Sequence, residues 1–390
     1  MTRRQFGRTM LLISDRFASV SAASRFANEL LSEESKLLCP VPHRRAVSHR
    51  ALLTPKLARG AGGAIMKLTY RLLLLVMLVV SAASITGCKR HSSAEHFYLV
   101  TANTKLAYWQ SASAALDKIA REYDVHADMR GPQGFDPQDE AAEFRSVVAL
   151  KPNGILVSVA DEKVMQPEID AAINAGIPVI TVDSDAPSSK RLYFIGTNNR
   201  QAGRLGGHAL VQKLGGKGNV VFFTNPGQPN LDDRLNGYKD VLADSPNIHI
   251  KEVVDIKGVS TTAFDYTQHA LPLTGKDRVD AFVCLEASAG PEVGEVLRRN
   301  NAKDRVVIAM DLNTDTLEAV KQGFIAATIA QKPFTMAYFG VKMLDELYHN
   351  PLPSLTKNYS VDPSAPIPAF IDTGSTLVDQ SNVDQFMHPQ

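Results

Sequence analysis

Short apolar runs alternate along this chain with longer segments in which apolar residues recur at helical spacing. The first pattern predicts buried strands and the second predicts amphipathic helices. The predicted strands are 97–100, 125–129, 154–159, 177–182, 192–195, 219–223, 248–255, 281–285, 306–310 and 324–330. The predicted helices are 111–123, 141–150, 168–175, 200–214, 233–242, 262–271, 291–300, 314–321 and 335–349. The tail from Pro351 is rich in proline as far as Pro368, which favours an extended path over the surface.

The order of these elements predicts the fold class. Strands that alternate with helices and are apolar along their whole length are typical of parallel sheets covered on both faces. The alternation runs once from residue 97 to about 198 and then starts again. We therefore expect an α/β protein with two doubly wound, parallel-sheet lobes.

A different pattern precedes the first predicted strand. Met66 is followed by Lys67 and Arg71, the apolar run 72–80, small residues and then Cys88. This order is typical of a signal peptide, and the apolar run is too short to span a bilayer. A cysteine directly after such a site resembles a bacterial lipobox, which implies cleavage before Cys88 and lipidation of its thiol. The alternative is a buried helix that ends at Cys88.

The N-terminal part divides into three segments. Residues 1–65 are rich in arginine and lack a sustained helix or strand period. We interpret them as an artefact of the assigned start, with a basic tail that binds nucleic acid or lipid as the alternative. Residues 66–87 are the predicted signal peptide. Residues 88–96 are polar and are predicted to form a tether.

Charge and cysteine content narrow the class of protein. The 42 basic and 41 acidic residues nearly cancel, so nothing points to a nucleic-acid partner. If Cys88 is lipidated, Cys284 has no partner in the mature chain, and no intrachain disulfide is expected. Cys284 lies in an apolar run, which favours a buried, inert thiol over a nucleophile.

Polar and aromatic side chains gather after the predicted strands. In parallel α/β sheets, ligands bind beyond the carboxyl ends of the strands. The candidate ligand-binding residues at these positions are Asn103, Tyr108, Trp109, Asp183, Arg234, Glu286, Asp311 and Gln331.

This set of side chains suits a sugar or polyol. Carboxylates accept hydrogen bonds from adjacent hydroxyls, arginine donates several in a fixed geometry, and aromatic rings stack on apolar C–H faces. Each residue also has a plainer interpretation. Asp183 or Asp311 could cap a helix, Arg234 could be a solvated surface charge, and Tyr108 and Trp109 could pack in a core or hinge.

From about residue 97 to 390, the chain resembles the type I periplasmic sugar-binding proteins, the group of the ribose-binding protein. These are the solute receptors of ABC importers. The stretches that carry the resemblance are Ala107-Tyr108-Trp109-Gln110, the segment 176–185, Gly196-Thr197-Asn198-Asn199, Arg234-Leu235-Asn236-Gly237-Tyr238 and Ala327-Thr328-Ile329-Ala330-Gln331.

The resemblance implies several functional features. Tyr108 and Trp109 would stack on the ligand ring, and Asp183, Arg234, Asp311 and Gln331 would bind its hydroxyls. The chain would cross between lobes three times, near Asn198, Lys332 and Asp362. The first lobe would then comprise 97–198 and 332–362, and the second 199–331 and 363–390.

Two positions differ from the ribose binders and bear on the ligand. Ribose binders have arginine where this chain has Ser184, and Asn-Asp where it has Glu286-Ala287. One basic residue is lost and one acid is gained. A different neutral sugar, a polyol or an amino-bearing ligand is therefore favoured over plain ribose.

Motifs that are absent from the sequence exclude other classes. No dinucleotide fingerprint follows the first strand, the histidines lack the spacing of common zinc motifs, and no DNA-binding helix pair precedes the domain. The segment 214–218 is interpreted as a helix end, although it shares glycines and a lysine with phosphate loops. We expect no cofactor and no catalytic activity.

The sequence thus predicts a monomeric, lipid-anchored binding protein of the periplasm or cell surface. It would deliver a small sugar or polyol to the permease subunits of an ABC importer. Two alternatives remain open: a sugar sensor that docks on a chemoreceptor or histidine-kinase ectodomain, and an enzyme with Asp183 and Asp311 as paired acids.

Overall fold

The computed structural model describes residues 91–387. The predicted signal peptide 66–87, the lipidation site Cys88 and the segment 1–65 lie outside the described residues. Within residues 91–387, no helix is both long enough and apolar enough to cross a membrane.

The first lobe is built on a six-stranded parallel sheet. Its strands are His96–Val100 (β1), His126–Arg130 (β2), Gly154–Val157 (β3), Val179–Val182 (β4), Phe194–Gly196 (β5) and Phe370–Asp372 (β11). Their order across the sheet is β11-β5-β4-β3-β1-β2. The helices of this lobe are Tyr108–Tyr123 (α1), Pro137–Ala149 (α2), Glu162–Asn174 (α3) and Pro333–His349 (α9).

The second lobe repeats this plan. Its strands are Gly218–Thr224 (β6), Ile248–Asp255 (β7), Ala281–Cys284 (β8), Val306–Met310 (β9), Ala327–Ala330 (β10) and Thr376–Val378 (β12). Their order is β12-β10-β9-β8-β6-β7, and only β12 is antiparallel to its neighbour. The helices are Asn199–Leu214 (α4), Pro229–Leu242 (α5), Thr261–Ala270 (α6), Ala289–Arg299 (α7), Thr314–Gln322 (α8) and Asp384–Met387 (α10), and Gly275–Asp277 forms a 3-10 turn.

The prediction of two parallel-sheet α/β lobes is confirmed. The central strands β3, β4, β8 and β10 are buried along their whole length, because helices cover both faces of each sheet. Cys284 at the end of β8 is buried, and this burial raises the pKa of its thiol, as expected for an inert packing residue. Gly215 ends α4 in a left-handed conformation, so segment 214–218 is a helix end and turn.

The sequence-based division of the C-terminal tail is wrong. Phe370–Asp372 pairs with β5 in the first sheet, so the third crossing between lobes lies between β11 and β12 and not near Asp362. Residues 351–369 are irregular, but β11, β12 and α10 follow them. These elements are short and lie at sheet edges or ends, so their apolar pattern is too brief to stand out beside the prolines.

The predicted tether 88–96 also needs correction over its described part. His91 forms a hydrogen bond with Asp345 on α9, and Glu95 is buried against the lobe. Strand β1 already begins at His96. Residues 91–96 are therefore packed on the first lobe and do not form a free linker.

Candidate ligand-binding site

A cavity of about 80 Å³ lies between the two lobes, at the carboxyl ends of the strands. Such a volume holds a few water molecules or one small solute. The cavity brings together all eight residues singled out from the sequence: Asn103, Tyr108, Trp109, Asp183, Arg234, Glu286, Asp311 and Gln331.

Asp183, which follows β4, is the polar centre of the first-lobe side. Its Oδ1 accepts a hydrogen bond from the Tyr108 hydroxyl at 2.8 Å, and its Oδ2 accepts one from Ser158 Oγ at 3.1 Å. Asn230 of the second lobe also donates from Nδ2 to Asp183 Oδ2, at 3.3 Å. Asp183 does not begin a helix, so the interpretation as a helix cap is wrong.

On the second-lobe side of the cavity, Arg234 connects three elements through hydrogen bonds. Its Nε donates to Asn199 Oδ1 at 2.9 Å, and its two terminal nitrogens donate to the carbonyl of Leu285 and to Gln331 Oε1, both at 2.8 Å. Only 3% of Arg234 is exposed, so it is not a solvated surface charge.

The packing of α4 against α5 allows this position of Arg234. A Cβ on Gly203 of α4 would lie 2.1 Å from the carbonyl oxygen of Arg234. Only glycine therefore lets the two helices approach closely enough for the guanidinium to reach Asn199.

Gln331 connects Arg234 with the second aspartate. It accepts hydrogen bonds from Arg234 and from Thr197 Oγ1, and its Nε2 donates to Asp311 Oδ1 at 3.0 Å. Thr197 and Gln331 follow β5 and β10, the strands after which the chain crosses between lobes. The hydrogen-bond network therefore extends from the cavity to two of the crossings.

Glu286 lines the cavity and also caps the start of a helix, a role that the sequence did not indicate. Its carboxylate accepts hydrogen bonds from the backbone N–H groups of Ser288 and Ala289, both at 2.7 Å, at the start of α7. Asp311, in contrast, does not cap the helix that follows it, since α8 begins after Asn313. The capping role suggested for the aspartates belongs to Glu286.

The aromatic wall consists of Tyr108 and Trp109 at the start of α1. Their rings meet edge to face with centroids 5.0 Å apart, and only 7% and 5% of these residues are exposed. Asn103 lies in the loop before α1, where its Oδ1 accepts a hydrogen bond from the backbone of Lys105 at 3.2 Å. The two rings pack in the core of the first lobe and also line the cavity. Core packing and a place in the cavity wall are therefore compatible for both residues.

Three carboxyl groups and one guanidinium share this buried space. Burial is the main cause that raises the pKa values of Asp183, Asp311 and Glu286, and the charge of Arg234 opposes it in each case. The pKa of Asp311 rises to about 7. The cavity therefore disfavours a negatively charged ligand, which would add to the acidic groups already buried there.

The lobes contact each other beside the cavity. Besides the bond between Asn230 and Asp183, Gly258 in the loop after β7 lies against Phe135 of the first lobe. A Cβ on Gly258 would lie 2.5 Å from Phe135 Cβ. These contacts describe a closed arrangement of the two lobes.

Sequence reasoning missed several lining residues. The most informative is Asn230, whose Oδ1 is buried without a hydrogen-bond partner while its Nδ2 bonds to Asp183. A buried acceptor of this kind is costly unless a donor reaches it. Its position after β6 and one helical turn before Arg234 could have indicated it. Ser158 follows β3 and could have been found in the same way.

The carboxyl groups of the cavity are engaged with hydroxyl, amide and backbone donors, which leaves no free set of metal ligands there. Among the described residues, one group of histidines and acids converges closely enough to hold a metal ion: His91, Glu95, Asp345 and His349. It lies outside the cavity.

Comparison with known proteins identifies the family. The periplasmic binding protein domain matches residues 97–350. The xylose/arabinose-binding protein XylF of Sulfolobus acidocaldarius is 23% identical over 282 residues, which are 68% of this chain and 66% of that protein. The ribose import binding protein RbsB of Bacillus subtilis is 21% identical over 219 residues, which are 55% of this chain and 69% of that protein.

A solved structure supports the same assignment. AraP, an arabinose binding protein from Geobacillus stearothermophilus, is 30% identical and superposes with a TM-score of 0.62. The match covers 75% of this chain and 99% of that structure. This chain therefore belongs to the type I periplasmic binding protein family.

Proposed function

We propose that this protein is an extracytoplasmic receptor that captures one small sugar or polyol between its lobes and presents it to the permease subunits of an ABC importer. The observation that carries the proposal is the composition of the inter-lobe cavity. Two aromatic rings, three carboxyl groups and one guanidinium surround a space suited to a small, hydroxyl-rich solute.

The chemistry of the cavity supports a neutral, polyhydroxylated ligand. Asp183 and Asp311 line the cavity, and Asn230 adds a buried acceptor that has no hydrogen-bond partner. Trp109 offers an apolar face on which the C–H side of a sugar ring stacks. A purely apolar ligand would leave the Asn230 oxygen without a donor, which costs about 1–3 kcal/mol.

The relatives support the same ligand class. The relatives described above are named for xylose and arabinose, for ribose import and for arabinose, all of which are pentoses. The cavity volume of about 80 Å³ favours a ligand of similar size over an oligosaccharide.

Closure supports a role in delivery. A ligand that contacts Asp183 in the first lobe and Arg234 and Asp311 in the second makes its full set of contacts only when the lobes are closed. Such a ligand shifts the population toward the closed form. The permease can then distinguish loaded from empty receptor by its shape.

A thermal-shift screen of pentoses, hexoses, polyols and amino sugars, with chromatography of each sugar afterwards, tests the proposal. We expect at least one sugar to raise the unfolding midpoint and to be recovered unchanged. Turnover of the stabilising sugar would support the enzyme alternative with Asp183 and Asp311 as acids, and would contradict a binding role.

We further propose that the mature chain is a monomer anchored to a membrane through lipid on Cys88. The ordered signal segment before Cys88 supports this anchoring. Replacement Cys88→Ser should abolish labelling by a fatty-acid analogue and release the protein from membranes. The replacement Cys284→Ser, at a buried thiol, is the matched control and should leave labelling unchanged. Labelling that survives Cys88→Ser would contradict the lipid anchor.

A further inference from the structure

Two histidines and two carboxylates converge at the amino-terminal edge of the first sheet, the edge opposite the ligand cavity. His91 and Glu95 lie in the turn before β1, and Asp345 and His349 lie one helical turn apart at the end of α9. One donor atom of each side chain lies within 4.8 Å of the others. None of the four residues lines the inter-lobe cavity.

Three of the six distances between the donor atoms are close to the edge length of a coordination tetrahedron. His91 Nδ1 lies 3.0 Å from Asp345 Oδ1, and His349 Nε2 lies 3.4 Å from the same oxygen. His349 Nε2 also lies 3.2 Å from Glu95 Oε2. With metal–ligand bonds of about 2.0–2.1 Å, two ligands of a tetrahedral zinc ion are roughly 3.3 Å apart.

His91 is within hydrogen-bond distance of Asp345, but the two contacts of His349 are long for direct ion pairs. Charge-assisted hydrogen bonds between nitrogen and carboxylate oxygen are usually about 2.7–2.9 Å long. Both contacts of His349 Nε2 are longer, and a single nitrogen faces two carboxylate oxygens. A cation between the four donor atoms would satisfy all of them at once.

The burial and the charge of the two acids also favour a bound cation. The side chains of Asp345 and Glu95 are only 3% and 6% exposed, and burying a carboxylate is costly unless a cation or hydrogen-bond donors compensate its charge. A divalent cation with two neutral imidazoles neutralises both acids. Two nitrogen and two oxygen ligands suit zinc better than calcium or magnesium, which prefer oxygen.

The surroundings fix the orientation of the ligands, as expected at metal sites. The backbone N–H of Ser92 donates to Glu95 Oε1 at 2.9 Å, which leaves Oε2 facing the cluster. The ring of His91 stacks on Tyr123 of α1 with centroids 4.2 Å apart.

We propose that His91, Glu95, Asp345 and His349 form a structural zinc site that fastens the chain entering the first lobe to the end of α9. The closed set of four protein ligands is typical of a structural rather than a catalytic zinc. The site holds residues 91–95 rigidly against the lobe. It does not depend on the identity of the ligand in the cavity.

Zinc titration of the full chain, made metal-free with a chelator, tests the site. Cys39→Ser and Cys88→Ser are introduced throughout, because cysteine thiols bind zinc themselves, whereas the thiol of Cys284 is buried. We compare this protein with His349→Ala and with Asp345→Asn, which keeps the side-chain shape but removes the charge. His249→Ala changes an exposed histidine on β7 and is the matched control.

We expect calorimetry to show one zinc equivalent in the parent protein and in His249→Ala. His349→Ala and Asp345→Asn should lose it, with affinity lower by about 100-fold or more. Zinc should also raise the unfolding midpoint of the parent, a result that needs no variant. Calcium and magnesium should not.

Several results would overturn the proposal. These are no zinc bound by the parent at micromolar concentration, equal binding by Asp345→Asn and His249→Ala, an unfolding midpoint that zinc does not move, or equal stabilisation by calcium. The first of these outcomes would instead mean that the four side chains only form hydrogen bonds and ion pairs with one another.

Discussion

Asp183 and Asp311 adopt the same left-handed backbone conformation, with φ of 64° and 70°, at equivalent positions of the two lobes. They follow β4 and β9, which occupy the same place in their sheets. This conformation is uncommon for residues other than glycine, and aspartate and asparagine tolerate it best. The repeated architecture thus supplies one carboxyl group to the cavity from each lobe. It also makes asparagine the appropriate replacement when either charge is tested.

The raised pKa of Asp311 predicts a pH dependence of stability. Its folded pKa of about 7 exceeds the ordinary value of 3.8, so the folded protein binds this proton more tightly than the unfolded chain. The corresponding stability is complete below about pH 4 and is lost as the pH rises through 7. Asp311→Asn should therefore match wild type near pH 4 and be more stable at pH 8, by roughly 2–4 kcal/mol.

Urea unfolding of both proteins from pH 4 to pH 8 measures this difference. Asp117→Asn, on the exposed face of α1, makes the same chemical change outside the cavity and should stay parallel to wild type. Parallel curves for Asp311→Asn as well would show that the pKa of Asp311 is not raised by burial.

Closure of the lobes depends on the absence of a side chain at Gly258. The replacement Gly258→Ala places a Cβ 2.5 Å from Phe135 Cβ of the other lobe. We expect ligand affinity to fall by at least tenfold, because the closed form is selectively destabilised. Gly215→Ala has a similar positive φ but open space around it, so it controls for backbone strain.

Small-angle scattering checks the same prediction. Saturating ligand should reduce the radius of gyration of Gly215→Ala as in wild type, and should reduce that of Gly258→Ala less. Equal affinity and equal compaction of the two variants would mean that contact between Gly258 and Phe135 is not part of closure.

Trp109 is the single tryptophan of the chain and lines the cavity, so its fluorescence should report ligand binding. Trp109→Phe keeps a ring for stacking but removes the signal. We expect calorimetry to show an affinity loss of about 2- to 10-fold, equivalent to 0.5–1.5 kcal/mol. A ligand titration that leaves the emission of the wild type unchanged would place the ligand elsewhere.

The unpaired Oδ1 of Asn230 predicts a direct contact with the ligand. Asn230→Ala removes this acceptor and the bond to Asp183, and should weaken binding by roughly 1–3 kcal/mol. Asn230→Asp should weaken it further, because a second carboxylate would face Asp183 Oδ2 across the lobes. Calorimetry gives both values. Wild-type affinity in Asn230→Ala would mean that Asn230 Oδ1 binds water and does not contact the ligand.

The sequence predicted the two lobes because continuous apolar strands and regularly spaced helices are long, repeated signals. It also predicted eight of the residues that line the cavity, because the carboxyl ends of parallel strands converge at one edge of each sheet. It missed the crossing at β11, because three-residue strands have no recognisable period. It missed the role of Asn230 in the cavity, because that role depends on a side-chain oxygen that stays without a hydrogen-bond partner after folding.

The cluster of His91, Glu95, Asp345 and His349 could not be predicted from the sequence for a different reason. His91 and His349 are separated by most of the chain, so no short motif contains both. His91 pairs with Glu95 and His349 pairs with Asp345, each four positions apart along the chain. This spacing is too common in sequences to indicate a metal site. Only the packing of residues 91–95 against the end of α9 brings the pairs together.

Calorimetric titration with the sugar that most stabilises the protein tests the central claim most directly. The measurement compares wild type, Asp183→Asn and the exposed control Asp117→Asn. We predict one molecule bound per chain by wild type and by Asp117→Asn. We predict affinity at least tenfold lower for Asp183→Asn, whose carboxylate accepts bonds from both lobes. Equal affinity in all three proteins, or no binding of any pentose, hexose or polyol, would contradict capture of a sugar between the lobes.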